Sequence, residues 1–190
     1  MTNRMARIIR ICTVPPIMAL VLCSFLYSMD QRYFAGIQHY LLSILFLTVL
    51  PLLPYPITAL IPKLRGKGRP VQRNLAILFS IVGYMGGMLL ALVDGTAVER
   101  VLFGTYTISG LLIALCSFGF RFKASGHSCG VAGPIAMLVY LGGIQWLWSA
   151  LLLLPVCWAS YTLKRHTWLQ LAAGAAFSVA ATGFCIAIFL

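Results

Sequence analysis

Apolar residues run along this chain in long blocks separated by short polar breaks. The blocks fall at about 9–28, 40–61, 73–93, 101–120, 129–163 and 167–190, each bounded by Lys, Arg or turn-forming residues. Runs of about 20 apolar residues match the hydrocarbon thickness of a bilayer when wound as helices. The block 129–163 is too long for one crossing, and Gly142 and Gly143 lie near its middle. They predict a helical hairpin with two short spans, about 128–141 and 145–163. Helices of that length are tolerable where one end lines a polar site and not lipid. The pattern thus predicts an all-α, polytopic transmembrane bundle of six to seven helices, with residues 1–190 forming one domain. The opening stretch MTNRMARIIRICTVPPIMALVLCSFLY has a basic head and a long apolar body without an A-x-A site, so it reads as an uncleaved first span. Gly83 and Gly87, and the series Gly174, Ser178 and Thr182, repeat at four-residue spacing and allow helices to approach closely.

Composition fixes the solvent. Hydrophobic residues make up 61% of the chain and charged ones 9%, with a mean hydropathy of +0.96, whereas a soluble domain carries roughly 25% charge. The three carboxylates, Asp30, Asp94 and Glu99, are too few and scattered for a carboxylate-bound metal centre, so no metal or other cofactor is expected. Of the six cysteines, five lie inside apolar runs; Cys129 falls close to His127, and with no CxxC or adjacent base it reads as a small packing residue. His39, beside Tyr40, reads as an interfacial histidine. The net charge is +11, and seven passes place all Lys and Arg except Arg32 and Arg100 on one face. The positive-inside rule makes that face cytoplasmic, the three N-terminal arginines giving the vote that is independent of any substrate.

Three polar segments share this face. They are PKLRGKGRP at 62–70, KASGHS at 123–128 and KRHTWLQ at 164–170. Arginine forks and lysine ammonium groups neutralise phosphate oxygens, and the Ser125 hydroxyl and Gly126 amide can donate to them. Of two histidines beside such an anion, one can attack phosphorus while the other protonates the departing oxygen.

At these residues the chain resembles the type 2 phosphatidic acid phosphatase superfamily of integral membrane lipid phosphatases. Arg69-Pro70 matches the end of that family's first segment, Ser125-Gly126-His127 the core of the second, and His166 the histidine of the third, in the family's order. The stretch HTWLQ is similar to the version found in dolichyl- and polyprenyl-diphosphate phosphatase-like members. The resemblance implies that His166 is the nucleophile that becomes a phosphohistidine, that His127 is the general acid, and that Arg69 and Ser125 hold the phosphate. It also implies an exoplasmic or lumenal site, against the base count. The third segment diverges. The family arginine six residues before the nucleophile falls at Ser160, and Gln170 stands where most members have aspartate. Gln170 is expected to accept a hydrogen bond from the His166 ring, and Lys164 or Arg165 to supply the missing cation. The family lysine falls at Pro62, which leaves Lys63, one residue on, and Lys67 as candidates for contact with the substrate.

The expected activity is hydrolysis of a phosphate or diphosphate from a polyprenyl or phosphatidyl lipid, with the bilayer and its lipid phosphate as partners and no nucleic acid. Two alternatives accompany it. One keeps the site but passes the phosphoryl group to another acceptor, or binds lipid phosphate without turnover. The other is a small transporter with a basic vestibule, which requires a conduit to the opposite face and polar groups deep in the spans.

Overall fold

Two prolines set the first feature of the fold. Pro15 and Pro16 have no N–H to donate, and the ring of Pro15 disfavours a helical residue before it; Val14 is extended, with φ −63 and ψ 143. Helix α1 (Thr2–Cys12) stops there, and α2 (Pro15–Met29) starts with proline in its first turn, at an angle of 51° to α1. The first apolar run, expected as one unbroken span over 9–28, is therefore two helices. Arg4 and Arg7 of α1 are exposed, Ala6 is fully buried and Arg10 is half-buried, and the helix packs back along the bundle.

The structure is a computed structural model describing residues 2–61, 63, 66 and 68–190, with the side chains of Arg69 and Pro70 outside that set. Helices α3 (Ile37–Leu60), α4 (Gly68–Asp94), α5 (Ala97–Gly119), α6 (Gly126–Gly142), α7 (Ile144–Thr162) and α8 (Trp168–Phe189) complete the chain. Helix covers 87% of the protein, and no strand occurs among the described residues. Helices α3, α5, α7, α8 and the part of α4 from Val71 are long and apolar enough to cross a bilayer; the bent α1–α2 pair makes a sixth candidate. The protein is an all-α, multi-pass membrane bundle.

Helix α6, at 17 residues, is shorter than these and sits in the middle. Residues Ser128–Ile135 are buried without interruption between α8, α2, α5 and α7, so protein and not lipid surrounds them. Gly130 permits this closeness: a Cβ there would lie 2.6 Å from the Pro15 ring. The hairpin to α7 turns at Gly143, whose φ of 95 is open to glycine at little cost.

At the end of the bundle away from Arg10, the fully buried Glu99 carboxylate ties three segments together. It accepts from Thr96 N at 2.7 Å, from Ala35 N at 3.1 Å and from His39 Nδ1 at 2.9 Å. His39 is therefore buried, not interfacial, because a carboxylate taken out of water needs donors around it. Leu26, Leu47, Leu102 and Phe103 fill the core beside this cluster with no exposure. The other end gathers α1 and the segments 120–125 and 163–167.

Candidate active site

A cavity of about 590 Å³ opens at that end, within the size range of small-ligand sites. Arg7, Arg10, Arg73, Lys123 and Arg165 line it together with His127 and His166, and its deeper wall carries Tyr84, Tyr106, Ser109 and Ser178. Beyond Tyr106 lies the closed core of Leu102 and Phe103.

His166 is placed by two helix ends that nearly touch. Helix α7 finishes with Lys164 in the left-handed region (φ 50), Arg165 N donating to Ser160 O at 3.0 Å and Lys164 N to Tyr161 O at 2.8 Å. This pair of bonds satisfies the last carbonyls of α7 and reverses the chain. Two residues later α8 begins with a reciprocal cap: Gln170 N donates to Thr167 Oγ1 at 3.4 Å and Thr167 N to Gln170 Oε1 at 3.2 Å. His166 is held in the short connection between them. Its Nδ1 lies 3.1 Å from the Lys123 carbonyl. A carbonyl only accepts, so Nδ1 carries the proton and Nε2 presents a lone pair. Gln170, expected to orient the ring, gives its amide oxygen to the cap and also hydrogen-bonds His166 through its side chain, which favours the charged ring, while the Nδ1 bond goes to the Lys123 carbonyl.

His127 is the second residue of α6 and faces α1. Its Nε2 donates to the Arg10 carbonyl at 3.2 Å, and its Nδ1 stands 3.4 Å from Arg10 Nη2, from which it accepts. Arg10 Nη1 also donates to the buried Ser160 Oγ at 2.6 Å. Burial, followed by the Arg10 charge, pushes the His127 pKa down to about 3; burial also leads for His166, which is pushed down to about 4 against the opposing bond to Lys123. Both imidazoles are neutral at pH 7.

The other expected residues divide. Gly126 and Arg165 line the cavity. Ser125 does not line the cavity. Its hydroxyl is fully buried and caps α6, accepting from Ser128 N at 3.3 Å, while its backbone is tied to α8 through Ser125 N to Gln170 O at 2.9 Å. Gly174 permits that contact, since a Cβ would strike the Ser125 carbonyl. Lys164 and Lys63 are exposed, and Lys164 serves as the turn residue that ends α7. Lys67 and the Arg69 side chain, with Pro62 and Arg65, lie outside the described residues. The expected set lacks four of the cavity cations, Arg7, Arg10, Arg73 and Lys123. Arg73, which donates to Ser117 Oγ at 3.0 Å, is the first base of an apolar run, and Arg10 comes just before the Pro-Pro break that turns α1 inward. All six cysteines are free, Cys129 among them, buried on the deeper cavity wall.

Comparison of the chain with protein-family models, with curated proteins and with solved structures finds no match in any of the three. The site itself offers an imidazole with a presented lone pair, a second imidazole paired to a guanidinium, and several cations at the mouth of a cavity in a membrane bundle.

Proposed function

We propose that the protein is an integral membrane lipid phosphatase working through a phosphohistidine. One observation carries this reading: residues 127 and 166, far apart in sequence, place neutral imidazoles on one cavity with Arg10 beside them, and the tautomer of His166 leaves Nε2 ready to attack. The phosphate end of the lipid enters among Arg10, Arg73, Lys123 and Arg165, and the tail stays in the bilayer.

The His166 Nε2 lone pair forms a bond to phosphorus while the bond from phosphorus to the lipid oxygen, or to the lipid-side phosphate of a diphosphate, breaks. Fixed cations stabilise the charge spread over the transferring phosphoryl group. The departing oxygen takes a proton from His127. That histidine is neutral in the free protein, but a phosphate dianion favours its charged form and raises its pKa, so substrate binding itself arms the acid. Water then attacks the phosphohistidine, His127 takes the proton released, and His166 is freed with inorganic phosphate. The Gly126 N–H, at the start of α6 on the cavity, supplies a further donor. The closed core past Tyr106 supports a blind pocket over a conduit.

The test is phosphate release from phosphatidic acid and from a short polyprenyl diphosphate, in detergent with a chelator present. The purified wild type should release phosphate, and His166→Ala and His127→Ala should each lose activity by about 100-fold or more. Full activity in a folded His166→Ala protein would sink the reading.

A further inference from the structure

Arg10 is a cation in an unusual place. It lies on α1, the first helix of the chain, yet its guanidinium meets residues 127 and 160. It donates to the Ser160 hydroxyl at 2.6 Å and to His127 Nδ1 at 3.4 Å, while its own carbonyl receives the His127 Nε2 proton at 3.2 Å. The neighbours are fixed. Ser160 is fully buried on α7, and His127 sits in the capped first turn of α6. The pose of α1 is set by the break at Pro15 and by the passage of Pro15 over Gly130. Arg10, His127 and His166 all line one cavity, and the Arg10 charge lowers the pKa of both histidines. In the free protein this cation opposes the protonation that the general acid requires. An anion bound against Arg10 reverses the sign, since it offsets the guanidinium and favours a protonated His127.

Position 160 explains why the guanidinium fits. The pattern that the third segment resembles carries an arginine there, and this chain has serine, whose small side chain leaves the volume of a longer one open. Arg10 Nη1 reaches into that volume. We infer that Arg10 is the phosphate-binding arginine of this site, supplied by α1 in place of an arginine at position 160. The inference rests on the phosphatase reading and adds an element to it: α1 is part of the active site, and the site is complete only when α1 is docked against α7. A guanidinium fork suits a phosphate because it offers paired N–H donors in one plane, which a lysine ammonium does not.

The experiment compares wild type with Arg10→Ala, Arg10→Lys, Ser160→Arg and the double variant Arg10→Ala/Ser160→Arg, each purified as the full chain. Two quantities are read: phosphate release from the lipids named above, and the upward shift of thermal unfolding on adding inorganic phosphate. Arg10→Ala should lose about 100-fold or more in phosphate release and lose the phosphate-induced shift. Arg10→Lys should recover only part of either. The double variant should regain most of both, because the arginine at 160 then fills the vacated volume. Ser160→Arg alone should weaken both, since two guanidinium groups compete for one space. If a folded Arg10→Ala protein keeps wild-type activity while His166→Ala is dead, the phosphatase reading stands and the role of Arg10 falls. If the wild type releases no phosphate from either lipid, that reading falls, and the unfolding shift still decides on Arg10. Loss of the shift in Arg10→Ala with recovery in the double variant upholds phosphate binding there, and no shift in wild type overturns it.

Discussion

The tautomer of one side chain governs the chemistry open to this site. The bond from His166 Nδ1 to the Lys123 carbonyl fixes which nitrogen presents a lone pair without adding a negative charge beside the ring. A carboxylate partner would orient the ring equally well but would also favour its protonated form. Burial, against the opposing bond to Lys123, puts the His166 pKa at about 4. Protonation removes the Nε2 lone pair, so the acid limb of kcat/KM should lie near pH 4, well below the ordinary histidine value. Gln170→Asp adds a negative charge close to the ring. It should raise the His166 pKa and move the acid limb to higher pH, and a pH–rate profile of the two proteins checks the sign. An unmoved limb would mean that residue 170 does not sense the ring. Binding of inorganic phosphate should likewise raise the His127 pKa, visible as a shift in its imidazole resonances.

At the scale of elements, the two histidines owe their positions to helix ends. Lys164 occupies the left-handed conformation that stops α7 two residues before His166, and its side chain is exposed. A non-glycine residue pays roughly 1 kcal/mol for that backbone. Lys164→Gly should therefore stabilise the protein by about that amount, seen as a higher unfolding temperature in detergent, and leave kcat for phosphate release unchanged. A drop in kcat would return Lys164 to the substrate-contact role first expected of it. The helix ends also show what the sequence made legible. Gly142-Gly143 interrupts an apolar block too long for one span, and a turn there is readable at once. Thr167-x-x-Gln170 is a capping box in plain sight, but the same letters match a family motif, and the glutamine serves the cap as well as the His166 ring. Ser125 has the same double meaning, since a serine before an apolar helix is an N-cap as readily as a phosphate ligand. Pro15-Pro16 signals a break that continuous hydropathy masks. The contact from Arg10 to Ser160 cannot be read from the chain, because no local pattern links residues so far apart; only the docking of α1 against α7 creates it.

Over the whole molecule, charge is sorted along the bundle axis. Asp30, Asp94 and Glu99, the three carboxylates of the chain, stand at the end away from the cavity, and Asp30 there pairs with Arg32 at 2.8 Å. The cavity end carries Arg4, Arg7, Arg10, Arg73, Lys123, Lys164 and Arg165. A net charge of +11 thus becomes a directed field, which on the proposed function draws anionic head groups to the mouth while their tails stay in the bilayer. Exposed cations act at a distance, and salt shortens that distance: the screening length is about 10 Å at 0.1 M and about 3 Å at 1 M. Cations in contact with the phosphoryl group inside the cavity are screened far less. The two sets should separate in kinetics. Raising the ionic strength from about 0.05 to 0.5 M should raise KM for a lipid phosphate dispersed in neutral detergent and leave kcat nearly constant. The double variant Arg4→Gln/Lys164→Gln should start from a higher KM and show a shallower salt dependence, because exposed cations outside the cavity have been removed. Arg10→Lys should instead lower kcat at every salt concentration, as expected for a group that meets the transferring phosphoryl directly. A salt effect confined to kcat, or an Arg4→Gln/Lys164→Gln protein with unchanged salt dependence, would show that the surface field does not deliver the substrate.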